Sequence, residues 1–428
     1  MSGLALYLSR SGYEVSGSDA CENEQTKMLV RHGIKVFVGH NKHHVDGNEL
    51  VVFNSAINEH NPELERAREL GQKILTRSEL LRLVSIEHKH VIAISGTHGK
   101  TTTTAMIGEI FCLAGKTPTL HIGGTSKNLG TNFLIGDNNF FITEACEYKD
   151  NFLSLHPEVG IVLNIDDDHL DYFKTTQNLK HSFEKFATQC EFSMVFDDFF
   201  EKNSKKNENI AQIGEKNKYC WAENLICEAD GKFSFDAMFC DEFVGRIHLG
   251  VFHKHNVDNA IFAVAVAKYY GISNDVIIGA LENFSGVKRR FEDMGSKNGA
   301  RVIIDYAHHP KEIASTIIGA KNITKGKLFV VFQPHTYSRT KKLFDEFVPC
   351  FDLSDNLFIF RTYAARENFD KNFNAMTLSR EISKHKKCHY YNSFKKLKQS
   401  ILKTIQQDDT LLILGAGDID KFANFFLQ

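Results

Sequence analysis

The sequence predicts an α/β chain of three successive domains, and three observations carry that reading. At 428 residues the chain is too long for one ordinary core. Short apolar runs alternate with amphipathic stretches through residues 1–88, the pattern of parallel strands joined by helices. The alternation restarts at Lys89 and again near Arg290, each time with apolar runs that empty into small polar residues. The expected domains are 1–88, 89–290 and 291–428.

In the first block, Tyr13–Asp19 and Glu49–Ile57 read as strands and Asn61–Leu70 as an amphipathic helix. Met1–Gly12 reads as a helix with no strand before it. A doubly wound domain begins with a central strand and a glycine loop, so a parallel sheet opened at its middle is expected here. The second block opens with Lys89–Gly115, a strand, a loop and a helix. Met106, Ile110 and Leu113 share its expected buried face. Phe140–Cys146 and Glu158–Ile165 are further strands, and the polar stretch 191–249 is expected to be an antiparallel extension. Phe252–Gly271 is a loop entering a helix. In the third block "ARVIIDYAHHP", "GKLFVVFQPH", "DNLFIFRTYAARE" and "DTLLILGAGDI" each read as a buried strand and a polar turn.

Composition removes several classes. A net charge of −2 argues against nucleic-acid binding by bulk charge. No apolar run approaches the roughly 18 residues of a membrane span, and no basic-then-apolar leader opens the chain. Nine cysteines without a C-x-x-C suggest neither a disulfide framework nor a zinc ribbon. A cytoplasmic protein is expected.

The run Gly96-Thr97-His98-Gly99-Lys100-Thr101-Thr102 carries the clearest chemistry. Glycines let backbone N–H groups approach phosphate oxygens, and the helix that follows offers its positive end. Lys100 suits β- and γ-phosphates, and the Thr101 hydroxyl suits Mg2+. Two residues separate the glycines, against four in the usual phosphate loop. "LNIDDDHLDYF" then brings aspartates and His169 to a strand end, where a second Mg2+ or its waters could be held. A solvated acidic turn is the competing reading. Glu144 ends another strand and is a candidate metal ligand. His255, Asn256 and Asn259 open a helix, either against a nucleotide base or, for Asn256, as a helix cap. "DYAHHP" and "FQPHTYSRT" gather Tyr306, His308 and Arg339, the last a plausible bidentate clamp for a carboxylate. Ordinary loop hydrogen bonding is the alternative for the histidines.

These segments, with "MSGLA", "SAI…NPE", "HNVDNA", "GVKRRFE", "YAARE" and "GAGDI" in this order, resemble the Mur ligase family along nearly the whole chain. The short glycine spacing is the form that family uses. "GTHGKT" with the "DYAHHP" and "FQPHTYSRT" pair resembles the branch that attaches the first amino acid of peptidoglycan. The resemblance implies a Rossmann-like UDP-sugar domain, a central P-loop ATPase-like domain and a C-terminal Rossmann-like domain. It implies an ATP- and Mg2+-dependent amide ligase acting on UDP-N-acetylmuramate and L-alanine, as a monomer or homodimer, without nucleic acid or membrane insertion.

By the same resemblance, Gly96 to Thr102 would cradle ATP, with His255, Asn256 and Asn259 at its border. Lys100, His169, His308 and Arg339 would be catalytic. Thr101, Glu144 and His169 would hold metal. Tyr306, His308 and Arg339 would receive alanine, and Asp19 and Ser55 the UDP-sugar. Arg289 and Arg290 match the junction to a mobile third domain, whose closure would exclude water. Three departures stand out. The family's glycine loop before "MSGLA" is absent, Cys146 and Tyr148 replace acidic or serine residues, and Thr336 stands where some members have arginine. The missing loop raises one alternative, an impaired or non-catalytic nucleotide-binding homologue. The phosphate loop taken alone would also allow a phosphotransferase.

Overall fold

The structure is a computed structural model that describes all of residues 1–428 except 55–56, 168, 197–207, 215 and 366. The chain divides into two compact units. One comprises residues 1–225, 235–247 and 255–284, and the other 226–234, 248–254 and 285–428.

The first unit begins with helix Ser2–Arg10, which buries Leu4 and Tyr7 beside Leu80, Leu81 and Val84 of helix Arg77–Ser85. Four short strands follow. Ser16–Asp19 pairs in parallel with Lys35–Val38, and Leu50–Phe53 with Lys73–Thr76. They form two separate two-stranded sheets, each parallel as the alternation predicts.

The larger part of this unit is built on a ten-stranded sheet. Its central order is Val159–Val162, His90–Ser95, Phe140–Glu144 and Thr119–His121, all parallel. Strands covered on both faces read as continuous apolar runs, and His90–Ser95 is buried from Val91 to Ser95. Helix Lys100–Leu113 follows directly and is buried on almost every side. It lies between the sheet and helices that include His255–Tyr269. Met106 and Ile110 are in the core as expected, whereas Leu113, in the last turn, is 57% exposed. The stretch 191–249 departs from expectation. Phe192–Phe196 and Ile210–Gly214 continue the parallel sheet, and only from Cys220 onward do strands linked by tight turns take over.

The second unit carries a six-stranded sheet in the order Glu292–Lys297, Ala300–Asp305, Thr410–Leu414, Leu328–Phe332, Asn356–Phe360 and Cys388–Tyr391. Only the first pairing is antiparallel. Alternate residues of Leu328–Phe332 enter opposite cores. Leu328, Val330 and Phe332 meet helices Pro310–Ile323 and Ala375–Ile382, while Phe329 and Val331 meet Phe394–Leu402 and Asp420–Leu427. The segments 226–234 and 248–254 belong to this unit. Gly231 lies against Ile323, and the His253 ring stands 3.9 Å from that of Phe291.

One buried acid marks the core beneath the phosphate loop. Glu109, on helix Lys100–Leu113, is 8% exposed and accepts a hydrogen bond from Ser126 at 2.6 Å. Burial pushes its carboxyl from 4.5 up to about 7. An acid raised by folding stabilises the fold below its unfolded value, and that contribution is lost as pH climbs through about 7. Glu109→Gln is expected to leave stability at pH 4 nearly unchanged and to raise it at pH 8, as read by urea denaturation at the two pH values.

Candidate active site

Three adjacent parallel strands deliver three loops to one edge of the ten-stranded sheet. Residues 96–99 follow His90–Ser95, Ala145–Tyr148 follows Phe140–Glu144, and Leu163–His169 follows Val159–Val162. Groups at the carboxyl ends of parallel strands face the crevice where ligands bind.

The glycine loop is fixed by its neighbour. Thr97 N–H donates to the Asn164 carbonyl at 3.2 Å, and His98 N–H to the Asn164 side chain at 2.8 Å. The Asn164 amide returns a bond to the His98 carbonyl at 3.1 Å. Gly96 and Gly99 have φ of +136° and +85°, a region that favours glycine. A Cβ on Gly99 would also collide with the Asn259 side chain. Asn259 donates to Asn256 at 2.9 Å inside the helix that starts at His255, so Asn256 lies within that helix and does not cap it. Burial holds His255 down at about 4, and hence neutral.

Lys100 opens helix Lys100–Leu113. Its Nζ donates to the carbonyls of Gly96 and Thr97 and to Glu147, with Oε2 at 2.9 Å and Oε1 at 3.2 Å. Burial alone would pull the ammonium pKa down. That is the largest single influence, but Glu147, Cys146 and Glu144 together outweigh it, and the net direction is upward. Thr101 is buried in the first helical turn. His169 Nε2 lies 3.7 Å from Glu147 Oε1, and the Tyr148 ring lies 4.8 Å from the imidazole.

Glu147 is the residue that sequence reasoning missed. The carboxylate beside Lys100 and His169 is Glu147, whereas Glu144 accepts the Gly123 N–H. Both glutamates stand in the run "EACEY", and the chain turns after the strand. Lys149 and Asp150 take left-handed φ of 56° and 57° just beyond it. Which carboxylate meets the lysine is set by that turn, which the run itself does not announce. Among the aspartates, Asp166 stands 3.4 Å from His98 and Asp167 accepts from Thr176 at 2.6 Å, while Asp168 lies outside the described residues.

The second unit gathers its own cluster. Strands Ala300–Asp305 and Leu328–Phe332 are consecutive in this unit's sheet-forming chain, yet Thr410–Leu414 lies between them. Tyr306, His308, His335, Arg339 and the loop from Gly415 therefore leave neighbouring strand ends at a switch point. His308 Nδ1–H donates to the Tyr306 carbonyl at 3.1 Å, and burial lowers its pKa. Arg339 Nη1 donates to His335 Nδ1 at 3.1 Å. Because a guanidinium only donates, His335 carries its proton on Nε2. Burial and the Arg339 charge lower it to about 4, so the arginine is seated on a neutral ring. Glu367 accepts the N–H groups of Tyr337 and Ser338 at 2.5 and 2.9 Å, which fixes the short helix bearing Arg339. His335 and Glu367 were not singled out from sequence, although both stand in the quoted motifs. Arg289 and Arg290 lie over the Tyr306 ring at 4.9 and 5.2 Å.

Of the residues expected at the sugar nucleotide, Asp19 ends its strand and accepts the Cys21 N–H at 3.2 Å. Ser55 lies outside the described residues.

Three family models cover the chain in order: Mur ligase family, catalytic domain (1–88); Mur ligase middle domain (94–267); and Mur ligase, glutamate ligase domain (289–417). A UDP-N-acetylmuramate–L-alanine ligase of Caldicellulosiruptor bescii is 41% identical, over 100% of this chain and 96% of that protein. The chain belongs to the Mur ligase family. The ligase of the same name from Clostridium acetobutylicum is 40% identical over 100% of this chain and 95% of its own length. Among solved structures, a UDP-N-acetylmuramate–alanine ligase from Thermotoga maritima superposes with a TM-score of 0.84. It is 27% identical and covers 100% of this chain and 95% of that one.

The two glycine types in this family member separate by experiment. Gly99→Ala meets both a positive φ and the Asn259 side chain, and is expected to cost well over the ~1–2 kcal/mol of a left-handed alanine. Gly115→Ala, at φ +71° in open space, is expected to cost only about that amount. Urea midpoints of the two variants give the comparison.

Proposed function

We propose that this protein joins L-alanine to the carboxylate of UDP-N-acetylmuramate at the expense of ATP, through an acyl phosphate, in peptidoglycan precursor synthesis. The reading rests most on one observation: Lys100, at the mouth of a helix behind a short glycine loop, pairs with Glu147, whose other oxygen faces His169. An activating step needs that set, because a free carboxylate resists attack by an amine in water. We place this chemistry in the cytoplasm, in a monomer or homodimer.

The loop amides and Lys100 would hold the β- and γ-phosphates and neutralise charge as the phosphoryl group passes to the sugar-borne acid. Thr101 and Glu147 offer hard oxygen donors and His169 an imidazole nitrogen. Among the described residues no group of three or more His, Cys, Asp or Glu forms a closed metal cage. That donor set fits Mg2+, which takes one or two protein ligands and completes its octahedron with phosphate oxygens and water. When bound, the ion screens the converging anions and polarises the phosphoryl oxygens. Glu147 would take the metal-binding part that sequence reading gave to Glu144.

In the second unit Arg339, fixed by His335 and the Glu367-capped turn, would clamp the alanine carboxylate. His308 is neutral near pH 7 and donates through Nδ1, which leaves Nε2 to accept a proton from the attacking amine. Amide and free phosphate then result from collapse of the tetrahedral adduct. The non-catalytic reading finds no support: the relatives matched over the whole chain are named as ligases.

Purified protein given ATP, magnesium, UDP-N-acetylmuramate and alanine is expected to yield the amide by mass spectrometry. Phosphate release should require both the acid and the amine. Stable phosphorylated sugar nucleotide, or no amide, would sink the reading. In the same assay Glu147→Gln is expected to lower kcat by about 10²–10³-fold. Glu144→Gln should leave far more activity, since its carboxylate serves the Gly123 backbone.

A further inference from the structure

Arg77 has no part in the chemistry described so far. It stands in the first turn of helix Arg77–Ser85, at the end of strand Lys73–Thr76. A cation there meets the positive end of the helix dipole, the wrong end for it. Its Nη2 donates to His121 Nε2 at 2.9 Å. His121 Nδ1–H in turn donates to Thr143 Oγ1 at 2.9 Å, and Thr143 Oγ1–H to the Glu144 carbonyl at 3.0 Å. The relay fixes the imidazole as a neutral acceptor, and burial with the Arg77 charge holds it at about 3. Among the described residues no carboxylate forms an ion pair with Arg77. This half-buried guanidinium is therefore oriented through a neutral ring and keeps its charge uncompensated. Arg339 on His335 is built the same way.

Its place in the sheet gives that charge a purpose. His121 ends the strand two positions from His90–Ser95, with Phe140–Glu144 between them. At 4.7–4.9 Å per strand the separation from the phosphate loop is about 10 Å, along the same carboxyl edge. The Cys146 thiol lies within electrostatic reach of both Arg77 and Lys100. Ser78, next to Arg77, donates to Asn151 at 3.0 Å, which ties the helix start to the segment that follows Glu147.

We propose that Arg77, oriented by His121, binds an oxyanion of the sugar nucleotide and so helps to select the acid that is activated at Lys100. The reading rests on the ligase function proposed above. Two anions of that substrate, its carboxylate and its diphosphate, offer the same chemistry to a guanidinium.

Calorimetric binding of UDP-N-acetylmuramate and of UDP-N-acetylglucosamine, which lacks the carboxylate, tests it on native protein, Arg77→Met and Arg77→Lys. UDP-N-acetylmuramate is expected to bind Arg77→Met about 10- to 100-fold more weakly, with a smaller loss in Arg77→Lys. ATP affinity and melting temperature should be unchanged, which a merely structural role would not allow. A loss confined to UDP-N-acetylmuramate assigns the carboxylate, and an equal loss of both ligands assigns the diphosphate. Affinity for both within twofold of native in Arg77→Met overturns the proposal, and should that variant fail to fold, native-like affinity in Arg77→Lys does so. Absence of UDP-N-acetylmuramate binding by the native protein would instead bring down the ligase reading with it.

Discussion

A lysine ammonium and a glutamate carboxylate, both withdrawn from water, set the terms for the rest of the first unit. Desolvating each charge costs several kcal/mol, and the cost is offset only when geometry is good and the remaining donors are met. Lys100 meets it with Glu147 and two loop carbonyls, so its three protons are all engaged. That arrangement forces the glycine loop to curl over the lysine, which in turn requires positive φ at Gly96 and Gly99. Glu147 has to be presented from the far side. Left-handed Lys149 and Asp150 supply the turn, and Asp150 is held there by Tyr172 and Ser182. Beneath it Phe152 stacks on Phe186 at 4.8 Å, so the strain of about 1–2 kcal/mol per left-handed residue is carried by a packed aromatic floor.

Both units solve the same problem with the same geometry. Parallel strands end together, and the loops beyond them bring distant residues to one edge. The two arginines seated on neutral histidines extend the likeness. A charged partner would quench a guanidinium meant for a ligand, whereas an imidazole acceptor orients it and leaves its charge available.

Much of this was legible in the sequence, for identifiable reasons. The loop at Gly96–Thr101 declared itself because glycine spacing, strand and helix are all local. Buried strands such as Leu328–Phe332 were plain because both faces are apolar. Other features depended on what meets what in space. Glu147 was not singled out, since no local pattern shows that its carboxylate meets Lys100. Leu113 fitted the apolar period of its helix but lies in the last turn, beyond its cover. Asn256 looked like a cap, yet the helix begins one residue earlier. His121 and Arg77 lie 44 positions apart, and no local pattern joins them. The stretch 191–249 looked antiparallel because its strands are short and polar, but its first two add to the parallel sheet.

The order of strands in the second unit also bears on how the chain is made. Thr410–Leu414 lies inside the sheet, between two strands that leave the ribosome roughly 80 to 110 residues before it. Until it emerges, the facing edges of Ala300–Asp305 and Leu328–Phe332 have no partner, and the carbonyls of Gly415 and Gly417 that receive Arg289 do not exist. The nascent unit therefore waits, half assembled and with apolar edges bare, for its keystone. During synthesis this is the interval in which the chain depends most on protection from its neighbours.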